Sequence, residues 1–130
     1  MVRLIIRHVS GSRETEIDVV ELGAHREIIF GRAPSAAVRF DARRDGIVGR
    51  HHARLDWDPG QPMAMQLADL QSRNGTWING QRMEGPAQLR SGDQVQLGRG
   101  GPVFEVQLEV EASLAAIGDQ PIAQPIRPLS

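Results

Sequence analysis

Three short stretches of the chain each set an arginine beside a residue that tightens the backbone. Phe30-Gly31-Arg32 ends an apolar run, and Val48-Gly49-Arg50-His51-His52-Ala53 leads into another. The third stretch, from Asp69 to Gly80, contains Ser72-Arg73-Asn74-Gly75-Thr76. A guanidinium is a planar, permanently charged fork of N–H donors that matches the oxygens of a phosphate. If the three loops meet at one end of a fold, Arg32, Arg50 and Arg73 face one dianionic ligand. Each charge-assisted bond to it would then contribute about 1.5–3 kcal/mol. Local sequence does not show that they meet. Taken singly, each is an ordinary solvated arginine, and Asn74-Gly75 is an ordinary turn.

Other chemistries find less support. His51 and His52 are adjacent, and adjacent strand residues point to opposite faces, so they make poor co-ligands for a metal. His8 and His25 add no metal-like spacing. Gly98-Arg99-Gly100-Gly101 lacks the Lys-Ser/Thr and the helix start of a nucleotide phosphate loop, and reads as a loose turn. No Ser/His/Asp order and no paired carboxylates form a catalytic set. The expectation is a protein that is not an enzyme and uses no metal or cofactor.

The elements that must position these loops are strands. Phe104, Val106, Leu108 and Val110 alternate with Glu105, Gln107 and Glu109, as a half-buried strand over Val103 to Val110 requires. Ala53, Leu55 and Trp57 alternate likewise, as do Val95 with Leu97 and Ile17 with Val19. The stretches 2–9, 27–30 and 63–70 are further strand candidates. Asp58-Pro59-Gly60, Asn74-Gly75, Asn79-Gly80 and Ser91-Gly92-Asp93 punctuate them, and the two Asn-Gly pairs are strong hairpin cues. Helical periodicity is absent before Glu111. Many short strands with regular turns predict an all-β sandwich. Trp57 and Trp77 are expected to pack rather than to serve as stacking platforms.

The chain has 130 residues, 40% of them apolar, which suits one domain with an ordinary core. Residues 1–110 form that domain, and residues 111–130, with Pro121, Pro125 and Pro128, read as a linker or docking tail. There is no cysteine, which excludes disulfides and thiolate chemistry and fits a cytoplasmic setting. No apolar run approaches the roughly 20 residues of a membrane span. The net charge of −1 and the few aromatics speak against nucleic acid as a partner. From Arg26 to Arg54, however, seven arginines face three acids, a local surplus of four positive charges.

The order Gly31-Arg32, then Arg50-x-His52, then Ser72-x-Asn74-Gly75-Thr76-x-x-Asn79-Gly80 resembles the signature of the forkhead-associated (FHA) family. The resemblance covers about residues 1–110, and the third block is its most specific part. It implies an eleven-stranded β-sandwich whose loops at one end grip a phosphothreonine segment of a partner protein, the product of a Ser/Thr kinase. It implies that Arg32 contacts the phosphate or holds the peptide, and that Arg50 reaches the phosphate. Asn74 would hydrogen-bond the peptide backbone, with Arg73 as a further contact. Gly31, His52, Gly75 and Asn79 would fix the loops.

One position departs from the pattern. Three residues before the histidine the family usually has a serine whose hydroxyl donates to the phosphate, and here that residue is Gly49. The lost bond is worth roughly 1–3 kcal/mol, a factor of about 5 to 150 in affinity. Gly49 would compensate by offering its own backbone N–H, or a water would fill the gap. Gly49 also favours an alternative: a phosphate-independent interaction or assembly module on the same fold, self-associating through the tail. Only Thr15 and Thr76 could supply a phosphothreonine from within the chain. Thr76 is poorly placed, so a foreign partner is the expectation.

Overall fold

The alternation over Val103–Val110 is realised as a strand with those bounds in the computed structural model, which describes residues 2–110. Eleven strands run through the described residues. They are β1 (Val2–His8), β2 (Ile17–Glu21), β3 (Glu27–Gly31), β4 (Val38–Arg39) and β5 (Ala53–Asp58). After them come β6 (Gln61–Asp69), β7 (Thr76–Ile78), β8 (Gln81–Arg82), β9 (Ala87–Leu89), β10 (Gln94–Leu97) and β11 (Val103–Val110). They form two sheets, ordered β2-β1-β11-β10-β7-β8 and β4-β3-β5-β6-β9. The expected linker or docking tail at 111–130 lies outside the described residues.

Period-2 patterning closes the sandwich. Leu4, Ile6, Val95, Leu97, Phe104 and Val106 point inward from one sheet, and each is fully buried. Ile28, Phe30, Leu55, Met65 and Leu67 meet them from the other. Phe30 stacks on Phe104 with ring centroids 4.7 Å apart and joins the two layers. Trp57 packs in the core and donates its indole N–H to the carbonyl of Leu22 at 2.8 Å.

Three expectations need correction. Ile17 and Val19 do alternate in β2, but they face solvent, at 56% and 54% exposure. The pairing of β2 with β1 sets Val20 opposite Leu4 and Asp18 opposite Ile6, so the other face turns inward. Asp18 gains there a hydrogen bond to the buried His8 at 2.8 Å and one from Arg13. Trp77 is not a core residue either: it lies half-buried between the inward Thr76 and Ile78, on the outer side of the sheet. Finally, Asn74-Gly75 is no hairpin. β6 and β7 belong to different sheets, so this turn carries the chain across the sandwich.

The other Asn-Gly pair does make a hairpin. Asn79 and Gly80 have φ of 51° and 83°, and Trp77 pairs with Arg82 while Ile78 pairs with Gln81. That is the two-residue connection such a pair favours.

Candidate functional site

Five connections converge at one end of the sandwich: β1–β2, β3–β4, β4–β5, β6–β7 and β10–β11. Three of them carry the arginines singled out above, and hydrogen bonds lock those three together. The N–H groups of Arg32 and Ala33 donate to the carbonyls of Gly49 and Arg50, both at 3.0 Å. The two backbones run so close that a Cβ on Gly31 would lie 2.0 Å from the Arg50 carbonyl oxygen. Only glycine allows this approach.

His52 joins the second loop to the third. Its ring is fully buried. Nδ1 accepts the Gly49 N–H at 2.9 Å, so the proton sits on Nε2, which donates to the Gly75 carbonyl at 2.7 Å. Burial pushes the His52 pKa below its ordinary value, against the upward pull of the Gly75 carbonyl and the Asp69 charge. The ring is therefore neutral near neutral pH, the form that this donor–acceptor pair demands. Gly49 thus spends its N–H on His52, and the expectation that this N–H compensates a missing serine is overturned.

The third loop is tied by Asp69. Its carboxylate accepts the hydroxyls of Ser72 and Thr76, both at 2.6 Å, and the Ser72 N–H at 3.0 Å. Ser72 in turn accepts the Gly75 N–H at 2.9 Å. Partial burial pushes the Asp69 carboxyl up, but the bonds from Ser72 and Thr76 outweigh it and hold it below the usual carboxylate range. Gly75 has φ of 82°, which suits glycine, and its carbonyl also receives the Gly98 N–H at 2.9 Å. Thr76 is buried in this knot and is no ligand.

The residues proposed from sequence fall into distinct places on this frame. Arg32 is half-buried and its Nε donates to the Val48 carbonyl, which leaves the terminal nitrogens of the fork. Arg50 and Arg73 are exposed, and no carboxylate pairs with either among the described residues. Asn74 gives one amide N–H to the Ile47 carbonyl at 2.8 Å and so also braces the second loop. Its oxygen and second N–H are left over. Gly31, His52 and Gly75 sit at the joints of the loops. Asn79 lies at the opposite end of β7, where its amide bonds Asp93 at 3.0 Å and accepts the Gln94 N–H at 2.9 Å. His51 points out to Ser35 while His52 points in, as adjacent strand-entry residues should.

Sequence reasoning passed over Arg82 and read Arg99 only as part of a loose turn. Both line an open cleft beside Arg73 and Asn74, together with Trp77 and Gln96. Arg82 lies over the Trp77 ring, 5.4 Å from its centroid. The signal was present: a two-residue turn at Asn79-Gly80 sets residue 77 opposite residue 82.

The FHA domain profile matches residues 28–98. This chain belongs to the FHA family. Its fold is similar to that of an FHA domain studied for phosphothreonine-dependent interactions, at 28% identity and a TM-score of 0.67, covering 84% of this chain and 99% of that one. It is also similar to the FhaA FHA domain complexed with the intracellular domain of Rv3910, at 29% identity, 82% and 100% coverage, and a TM-score of 0.62. The FHA domain of CT664 from Chlamydia trachomatis shares the fold, at 20% identity, 84% and 99% coverage, and a TM-score of 0.70. No curated protein matches the chain.

Two predictions follow from how this FHA domain holds its loops. Gly31→Ala should destabilise it by about 2 kcal/mol or more, because backbone must move to admit the methyl group. Gly46→Ala, with 3.8 Å to the nearest atom, should cost far less. Urea unfolding of both variants measures the difference. Stability should also fall as pH drops below about 6.5, where unfolded His52 takes up a proton that the folded ring resists. A further loss should come below about 3.9, as pH falls through the lowered pKa of Asp69. Unfolding midpoints from pH 7 to 5 should decline less in His52→Gln than in wild type.

Proposed function

We propose that this FHA domain is a non-catalytic module that binds a phosphothreonine segment of a partner protein, a Ser/Thr kinase substrate in the cytoplasm. The observation that carries the reading is the display of Arg50 and Arg73, exposed and without carboxylate partners, on loops locked by His52 and Asp69. Locked loops lose little entropy on binding, so little of the charge-assisted bonding is spent on ordering them. In this reading Arg32, Arg50 and Arg73 hold the phosphate and Asn74 holds the peptide backbone. Gly31, His52, Gly75 and Asn79 keep the loops and hairpin in shape. The similar FHA domain studied for phosphothreonine-dependent interactions supports the same reading.

Position 49 favours a second reading. It offers neither a hydroxyl nor a free N–H, which weakens the phosphate site and suits a phosphate-independent assembly module, with tail-mediated self-association as one form. Space is not the reason for the glycine: a Cβ there would have its nearest neighbours at 3.6 Å, and its φ is not in the left-handed region. A serine fits.

The two readings part on phosphate dependence. A degenerate phosphothreonine library should bind wild type, while its unphosphorylated and phosphoserine counterparts should not. Arg50→Ala, which breaks no bond within the domain, should weaken that binding about ten-fold or more. Equal binding of the unphosphorylated library would transfer support to the assembly module. Gly49→Ser should tighten phosphopeptide binding by about 5-fold or more, read by calorimetric titration. Unchanged affinity would show that the missing hydroxyl is not what limits the site.

A further inference from the structure

Each sheet of the sandwich has two edges, and among the described residues β4, β8 and β9 close three of them with only two or three residues each. Such short edges offer little template to another strand. β2 closes the fourth edge and is different. It runs five residues, Ile17–Glu21, pairs with β1 in an unbroken register, and contains no proline. Leu22 N–H donates to the Val2 carbonyl and His8 N–H to the Glu16 carbonyl, so the even-numbered residues turn their backbone toward β1. The N–H and C=O groups of Ile17 and Val19, and the N–H of Glu21, therefore point away from the sheet. The Glu21 carbonyl takes the Ala24 N–H at 3.2 Å and keeps its second lone pair.

The side chains along this edge complement themselves. Ile17 and Val19 are more than half exposed, and Ile5 lies beside Val19 on the same outer face. Asp18 is held on the inward side by His8 and Arg13, so its charge is not displayed there. In an antiparallel pairing of two copies about Val19, that residue meets its own counterpart, and Ile5 extends the apolar row on both sides. Ile17 meets Glu21 of the second copy, with Arg7 beyond Ile17 and the second copy's Arg3 beyond Glu21. No like charges oppose one another, and every outward backbone group gains a partner. Moving the axis to Asp18 would set two carboxylates face to face. Moving it to Val20 would carry Ile17 past the end of the opposing strand.

We propose that the β2 edge is a self-association surface, on which a second copy of this chain pairs antiparallel about Val19 and extends the six-stranded sheet through both copies. The contact is independent of the phosphothreonine reading. Because the paired β2 strands run in opposite directions, the two loop ends point away from each other. A dimer of this kind joins two separate ligands rather than gripping one twice.

Sedimentation equilibrium of the full chain tests the contact. Wild type should dimerise reversibly. Val19→Lys brings two charges together at the axis, and Val19→Pro removes an outward N–H that β1 does not use, so each should weaken dimerisation about ten-fold or more. Val19→Cys supplies the one thiol in a chain without cysteine. Directly paired Cα atoms lie about 5.5 Å apart, within disulfide reach, so oxidation should crosslink this variant. Ile17→Cys should not crosslink, because the two introduced sulfurs stand four residues apart, roughly 13 Å along the strand. A wild type that stays monomeric up to about 1 mM overturns the proposal. So does a dimer that survives both Lys and Pro at this position, which would assign association to another surface, or crosslinking at 17 as efficient as at 19.

Discussion

One buried imidazole holds the binding end of this domain together. His52 stands just before β5, accepts the Gly49 N–H from its own loop and donates to the Gly75 carbonyl of the next. Both bonds exist only for a neutral ring protonated on Nε2. Burial supplies that state by disfavouring the charged form, and the two bonds satisfy both nitrogens, so the ring is affordable inside the sandwich. The β3–β4 loop then rests on the β4–β5 loop through Gly31, and the β10–β11 loop reaches the same Gly75 carbonyl. Four loops are thus referred to one side chain and one carbonyl.

The residues that hold the loops and the residues that face solvent are different chemical types. Short polar side chains, Asp69, Ser72, Thr76 and part of Asn74, satisfy the backbone and one another. The long cations Arg50 and Arg73 are left out of that network. This division lets the positive charges remain hydrated in the free protein while the backbone beneath them is already ordered. Arg32 is the intermediate case, tied through Nε and open at its terminal nitrogens.

The same contrast runs across the surface. Cross-strand register sets Arg3 opposite Glu109 and Arg7 opposite Glu105, and these exposed pairs add little stability while removing isolated charge from the sheet face. On the loops that carry Arg50 and Arg73, and at Arg82 in the β7–β8 hairpin, no carboxylate pairs with the arginine among the described residues. Net charge near zero therefore conceals local differences, with paired charge along β1 and β11 and unpaired arginines on these loops.

Much of this was legible along the chain. Alternation located β11 to the residue, the Asn79-Gly80 pair marked the β7–β8 hairpin, and the three arginine blocks marked the loops. These signals are local: pleating has period two, and a left-handed turn pair needs only its own residues. The tertiary structure decided the rest, because the rest depends on partners far away in sequence. Which face of β2 turns inward was set by Asp18 meeting His8 and Arg13, against the apolar pattern of Ile17 and Val19. Asn74-Gly75 crosses between sheets because β6 and β7 pair with different neighbours. The need for glycine at 31 comes from the Arg50 carbonyl, and the loss of the Gly49 N–H comes from His52. By itself the sequence determined the longer strands and the main turns, whereas the two- and three-residue strands β4, β8 and β9 are too short to show a period. Only packing decided which of them meet, since a contact between loops is a property of two segments brought together by the core and of neither alone.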